Sequence, residues 1–206
     1  VNFLHNESGA DHAEVITAYV NDWLDLERDL SGFYQLLHGH EVLNYMPDEF
    51  SGLRLIGIPD VFEAICGCII GHQINLTFAY KLKRRMVEQY GESLEIDGRV
   101  HHFFPKPEVL AQATVEDLKG LQFSRQKADY VIHLAKLISS GEFSKEELLS
   151  LEGREAQLKR LISIRGIGEW TANYVLMKTL KDMNCITIGD TGLNSALDGH
   201  GLVKNK

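Results

Sequence analysis

A chain of 206 residues that is 44% hydrophobic and 24% charged has ordinary globular composition and enough length to bury a sizeable core. It carries no apolar run near the roughly 18 residues of a membrane span and no basic-then-apolar leader, which argues against a membrane protein. A net charge of −8 argues against a nucleic-acid partner only until its distribution is read: residues 1–60 hold eleven Asp/Glu against two Arg, a net of −9, whereas residues 61–206 hold nineteen Lys/Arg against eighteen Asp/Glu.

Val1 in place of Met suggests a fragment of a longer chain. Val15, Ile16, Tyr19, Val20, Trp23 and Leu24 recur at helical spacing and predict an amphipathic helix over about residues 11–29, acidic on its outer face. Residues 31–57 are less regular. Asp60 then opens an apolar helix that stops at Gly71, and Asn75 caps a second running to about Tyr90. His72, Gln73 and Ile74 join the two. Residues 92–107 lack periodicity and read as a loop or short ribbon. Helices resume at Pro107, at Thr114 with a capping-box pattern, and at Ser124, whose helix buries Tyr130, Val131, Leu134, Ala135 and Ile138. Ser144 and Glu152 begin two more. No long strand-like alternation occurs, so an all-α fold is expected. Cys66, Cys68 and Cys185 are odd in number and lack zinc spacing, which fits buried thiols in a reducing compartment. Local basic groups form at Lys81, Lys83, Arg84 and Arg85, then at Lys159, Arg160, Arg165 and Lys178.

Gly166-Ile167-Gly168 lies between two helical stretches. Two glycines let the backbone turn sharply and come close to a ligand, and the unpaired N–H groups of the helix opening near Glu169 favour an anion such as phosphate. Thr171, in the first turn, adds a hydroxyl. A tight helix-helix turn explains the same residues without a ligand. The spacing to Asp190 tips the balance: a helix over residues 169–181 runs roughly 20 Å, and the eight residues after it reach up to roughly 26 Å, so the chain can return to its start. A carboxylate beside a phosphate grip would oppose simple binding, which points to chemistry.

Residues 164–174 with Asp190 resemble the helix-hairpin-helix and aspartate of base-excision DNA glycosylases, and Gly168-Glu169-Trp170-Thr171-Ala172-Asn173-Tyr174 is most similar to the alkylpurine (3-methyladenine II) branch. Residues 51–64, 69–75, 104–110 and 127–135 follow that branch in order and spacing, extending the likeness over roughly 180 residues. The resemblance implies two helical subdomains with the hairpin at a central cleft, and places a remnant strand of an N-terminal α/β domain at Val1 to Asn6. It divides the chain into 1–60, 61–181 with the hairpin at 161–181, and 182–206. It assigns Asp190 as the catalytic residue, Trp170 and Tyr174 to the base pocket, and Gly166, Gly168 and Thr171 to the DNA backbone. Gln73 becomes the wedge that fills the gap left by a flipped nucleotide, where a bacterial relative has an aliphatic residue. The carbonyls of Ile162, Ile164 and Ile167 are implied to hold a sodium or potassium ion, with no other cofactor. Trp170 occupies the position where strand-cutting members carry a Schiff-base lysine, which implies hydrolysis without lyase activity. The implied setting is a monomer acting on damaged double-stranded DNA in a bacterial cytoplasm. Only sixteen residues follow Asp190, fewer than the family's closing helices require. A glycosylase for deaminated or oxidised purines, and a non-catalytic helix-hairpin-helix protein, are the other readings these residues allow.

Overall fold

A computed structural model describes residues 9–202. They form twelve helices and one two-stranded ribbon, in two compact units, one of residues 60–187 and one of the described residues up to 59 together with those from 188 on. The remnant strand expected at Val1 to Asn6 lies outside the described residues. No helix among them is long and apolar enough to cross a membrane.

The smaller unit holds α1 (Gly9–Leu24), α2 (Ser31–His38), α3 (Met46–Glu49) and α12 (Thr191–Gly199). The first helix ends five residues before its expected limit, because Asp25 adopts a left-handed φ of 53°. Arg54 then ties the following turn down by donating to the carbonyls of Asp25 and Arg28.

The larger unit is built around α4 (Val61–Gly71), apolar on nearly every side and packed against α5 (Leu76–Tyr90), α8 (Arg125–Ser139) and α11 (Glu169–Thr179). A helix apolar all round belongs in a core. Ile65, Cys66, Leu134, Ala135, Val175 and Leu176 are sealed from solvent there. The caps follow the sequence. Asp60, Asn75, Thr114, Ser124 and Ser144 each accept a backbone N–H of the first turn they open, and Thr114 with Asp117 completes a capping box on α7 (Val115–Gly120). The remaining helices are α6 (Pro107–Leu110), α9 (Lys145–Ser150) and α10 (Gly153–Ile162).

Residues 92–107 contain an antiparallel ribbon, β1 (Ser93–Ile96) and β2 (Arg99–His102), in register Ser93 with His102 through Ile96 with Arg99. Asp97 and Gly98 both have positive φ, 49° and 71°, as a two-residue hairpin turn requires. On α8, Tyr130 and Ile138 are half-buried, and Ala128 and Ile132 complete the buried stripe instead. The last long helix stops at Thr179 rather than Lys181, whose φ is 57°. The return loop stays with the larger unit up to residue 187: Asp182 N–H donates to the Leu176 carbonyl at 3.1 Å and Arg154 Nη1 to the Asn184 carbonyl at 2.7 Å.

Candidate functional site

Residues 163–168 form the hairpin between α10 and α11. Ile164 and Ile167, 2% and 6% exposed, anchor it in the core, and the Ile167 N–H donates to the Ile164 carbonyl at 3.1 Å. The two glycines do different work. Gly166 has φ 93°, and a Cβ there would stand 2.5 Å from Tyr130 Cδ2, so the side chain of α8 fills the space any other residue would need. Gly168 has an ordinary φ of −96°, and nothing lies within 4 Å of where its Cβ would be. Its missing side chain therefore leaves the backbone open toward the outside. Gly168 caps α11 without a side-chain bond, so the positive end of that helix and its first N–H groups are left for an anion. Arg165 flanks the turn, paired with Asp129 at 2.8 Å and lying over the Tyr130 ring at 5.5 Å.

The phase of α11 sorts its residues. Thr171, Ala172, Val175, Leu176 and Thr179 face the core, while Trp170, Asn173, Tyr174, Met177 and Lys178 are half-buried. Thr171 is 8% exposed, so little of its side chain is open to a ligand and its backbone N–H is what the first turn can offer. Trp170 and Tyr174 stack on each other, ring centroids 5.2 Å apart and planes 13° from parallel. Burial raises the Tyr174 phenol, and the nearby Cys68 and Tyr80 add to the shift. Burial also lowers the Lys178 ammonium. Tyr80 is exposed on α5, and sequence reasoning passed it over because one tyrosine on a basic helix, among Phe78 and Tyr90, gives no signal of its own.

The loop after α4 is tightly specified. His72 N–H donates to the Cys68 carbonyl, Gln73 is exposed with a left-handed φ of 55°, and Asn75 Oδ1 accepts the Phe78 N–H at 2.9 Å. Lys127 Nζ reaches in from α8 to donate to the Ile70 and His72 carbonyls at 2.6 and 2.8 Å. Asp190 belongs to the other unit. It caps α12, its Oδ1 accepting the Leu193 N–H at 2.9 Å, and its side chain is half-buried after Gly189 at φ 86°.

Among the described residues no group of three or more His, Cys, Asp or Glu could hold a metal ion. The cysteines are free thiols, and burial raises Cys66 and pushes Cys68 up to about 12 and Cys185 up to about 11.

A helix opening with unfilled first-turn N–H groups, a stacked aromatic pair on the same helix and a loop holding one exposed residue at a left-handed φ form a combination suited to a nucleic-acid backbone and an unstacked base. The sequence model of the family described as HhH-GPD superfamily base excision DNA repair protein matches residues 66–206. The chain belongs to that superfamily. Among curated relatives, this HhH-GPD protein is 44% identical to the DNA-3-methyladenine glycosylase of Bacillus subtilis over 180 residues, 87% of this chain and 59% of that one. It is 36% identical to DNA-3-methyladenine glycosylase 2 of Escherichia coli over 128 residues, 62% of this chain and 44% of that one. The chain thus spans about half the length of these relatives. Its fold matches the 3-methyladenine DNA glycosylase of Archaeoglobus fulgidus with a TM-score of 0.80 at 30% identity, over 97% of this chain and 65% of that structure. An 8-oxoguanine glycosylase/lyase of Clostridium acetobutylicum also has a TM-score of 0.80, over 94% and 66% of the two chains, but at 21% identity that match speaks to the fold alone.

Proposed function

We propose that this HhH-GPD protein excises alkylated purines of the 3-methyladenine and 7-methylguanine class from double-stranded DNA, acting as a monomer and leaving the strand uncut. The stacked Trp170–Tyr174 pair, within the first two turns after the open Gly168 helix start, carries the reading. The hairpin N–H groups of residues 168–171 hold a phosphate beside the lesion. Gln73 enters the stack where the nucleotide leaves it. The flipped purine lies against the electron-rich rings, which favour a base made cationic by alkylation. The Bacillus and Escherichia relatives are named for 3-methyladenine, one member of that class, which supports the reading.

In the reaction the bond between C1′ and the purine nitrogen breaks, and its electron pair leaves with the base and neutralises the alkyl cation. Positive charge develops on the sugar. The ionised Asp190 carboxylate stabilises that charge and orients a water, whose oxygen bonds to C1′ and whose proton passes to the carboxylate and then to solvent. No general acid is needed, because the leaving group is already charged. Trp170 offers no amine to trap C1′ as a Schiff base, so hydrolysis stops at an abasic site. Ile162 ends α10 at the negative end of its dipole, and its carbonyl with those of Ile164 and Ile167 in the hairpin would hold a sodium or potassium ion, which would supply positive charge for the phosphate; no other cofactor is called for.

A lesion panel tests the substrate class. Duplexes carrying one 3-methyladenine, 7-methylguanine, hypoxanthine or 8-oxoguanine are treated with the protein and analysed for released base. Release of the two alkylated purines is expected. Release of hypoxanthine or 8-oxoguanine alone moves the specificity to deaminated or oxidised purines, and no release with salt-sensitive DNA binding makes the protein a non-catalytic DNA-binding module.

A further inference from the structure

Lys127 stands at the wrong end of its helix. Two positions past the first residue of α8, after the Ser124 cap, a cation faces the positive end of the helix dipole, where acidic side chains are favoured. Its ammonium is half-buried and burial lowers its pKa, which adds to the disadvantage. The compensation lies 55 and 57 residues away in the sequence. Nζ donates to the carbonyls of Ile70 and His72, the last turn and the C-cap of α4, which are among the acceptors a helix end leaves without an intrahelical donor. The next residue along is Gln73, held at a φ of 55° that a side-chain-bearing residue adopts only when its surroundings impose it.

The same turn of α8 seats the hairpin. Asp129 pairs with Arg165, and the Tyr130 ring fills the space beneath Gly166. Lys127, Asp129 and Tyr130 are within 4.5 Å of rise along one helix at about 1.5 Å per residue. One short rigid element therefore contacts both loops.

We propose that Lys127 is a positioning residue: from the helical turn that supports the Gly166 hairpin, it locks the loop bearing Gln73, and so fixes the distance between the element that enters the stack and the element that grips the phosphate. The inference rests on the glycosylase reading for the roles of those two loops. The bonds from Lys127 do not depend on it.

The experiment compares Lys127→Met and Lys127→Arg with the unsubstituted chain on 7-methylguanine placed either opposite cytosine or opposite an abasic analogue. A lesion with no partner needs little help to leave the helix. Lys127→Met should slow excision from the paired duplex by about 10- to 100-fold, the scale of a misplacement near 1 Å, and leave excision of the unpaired lesion near the original rate. Lys127→Arg, with donors enough for both carbonyls, should restore the paired substrate. In parallel, hydrogen exchange at the amides of residues 72–75 should quicken in Lys127→Met while those of residues 172–176 keep their protection. Equal losses on both substrates, or unchanged exchange in the loop, overturn the proposal. If the unsubstituted chain excises nothing, the glycosylase reading fails, and the exchange result still decides whether Lys127 holds the loop. Should Lys127→Met not fold, Lys127→Gln carries the same comparisons.

Discussion

Asp190→Asn is expected to bind alkylated duplex DNA with near-original affinity and to release base at least about 100-fold more slowly, the usual scale for losing an electrostatic stabiliser. The substitution separates two uses of one side chain. Asp190 caps α12 through Oδ1, and Asn is as good an N-cap as Asp, so the helix and the thermal stability should persist. What disappears is the negative charge. Asp190→Ala removes both, and should add a loss of about 1 kcal/mol for the missing cap. Excision at the original rate by the Asn variant would reduce Asp190 to its capping role.

Gly166→Ala should be costly for a different reason. An L residue at φ 93° costs about 1–2 kcal/mol in the left-handed region, and the new methyl would meet Tyr130 at 2.5 and 2.6 Å, overpacking that typically adds about 1–3 kcal/mol. The melting temperature should fall by about 2–4 °C for each kcal/mol lost in a chain of this size. Gly168→Ala is the informative partner. Its φ of −96° suits alanine and the space around it is open, so stability should hold. If the hairpin backbone approaches a phosphate there, DNA affinity should fall even so. Stability measured by calorimetry and affinity measured by titration would thus move separately in the two variants. A Gly168→Ala chain that binds DNA as before removes the hairpin from the interface.

Much of this organisation is local and was therefore legible in the residues. Asp60, Asn75, Thr114, Ser124 and Ser144 are caps because each side chain reaches an N–H three residues on, an interaction set by nothing farther away. The ribbon at residues 93–102 was half-legible: Asp97-Gly98 is a strong turn signal, but four-residue strands with nearly every side chain exposed leave no alternation to read. The inward turn of Thr171 was recoverable from the apolar spacing of Ala172, Val175, Leu176 and Thr179, which sets the helix phase. Lys127 was not. Its partners are backbone carbonyls on a helix met more than fifty residues earlier, and no residue type marks a carbonyl that is waiting for a donor. The end of α11 at Thr179 likewise depends on the return loop folding back onto Leu176, a tertiary constraint.

The most direct measurement follows one reaction in two ways: methylated duplex DNA is incubated with the protein, free purines are separated by chromatography, and the same strands are sized with and without mild alkali. Free 3-methyladenine or 7-methylguanine should accumulate in step with alkali-sensitive sites, in strands that remain whole without alkali. Strands broken before alkali would contradict hydrolysis without lyase chemistry, and no freed purine at any protein concentration would contradict the enzyme itself.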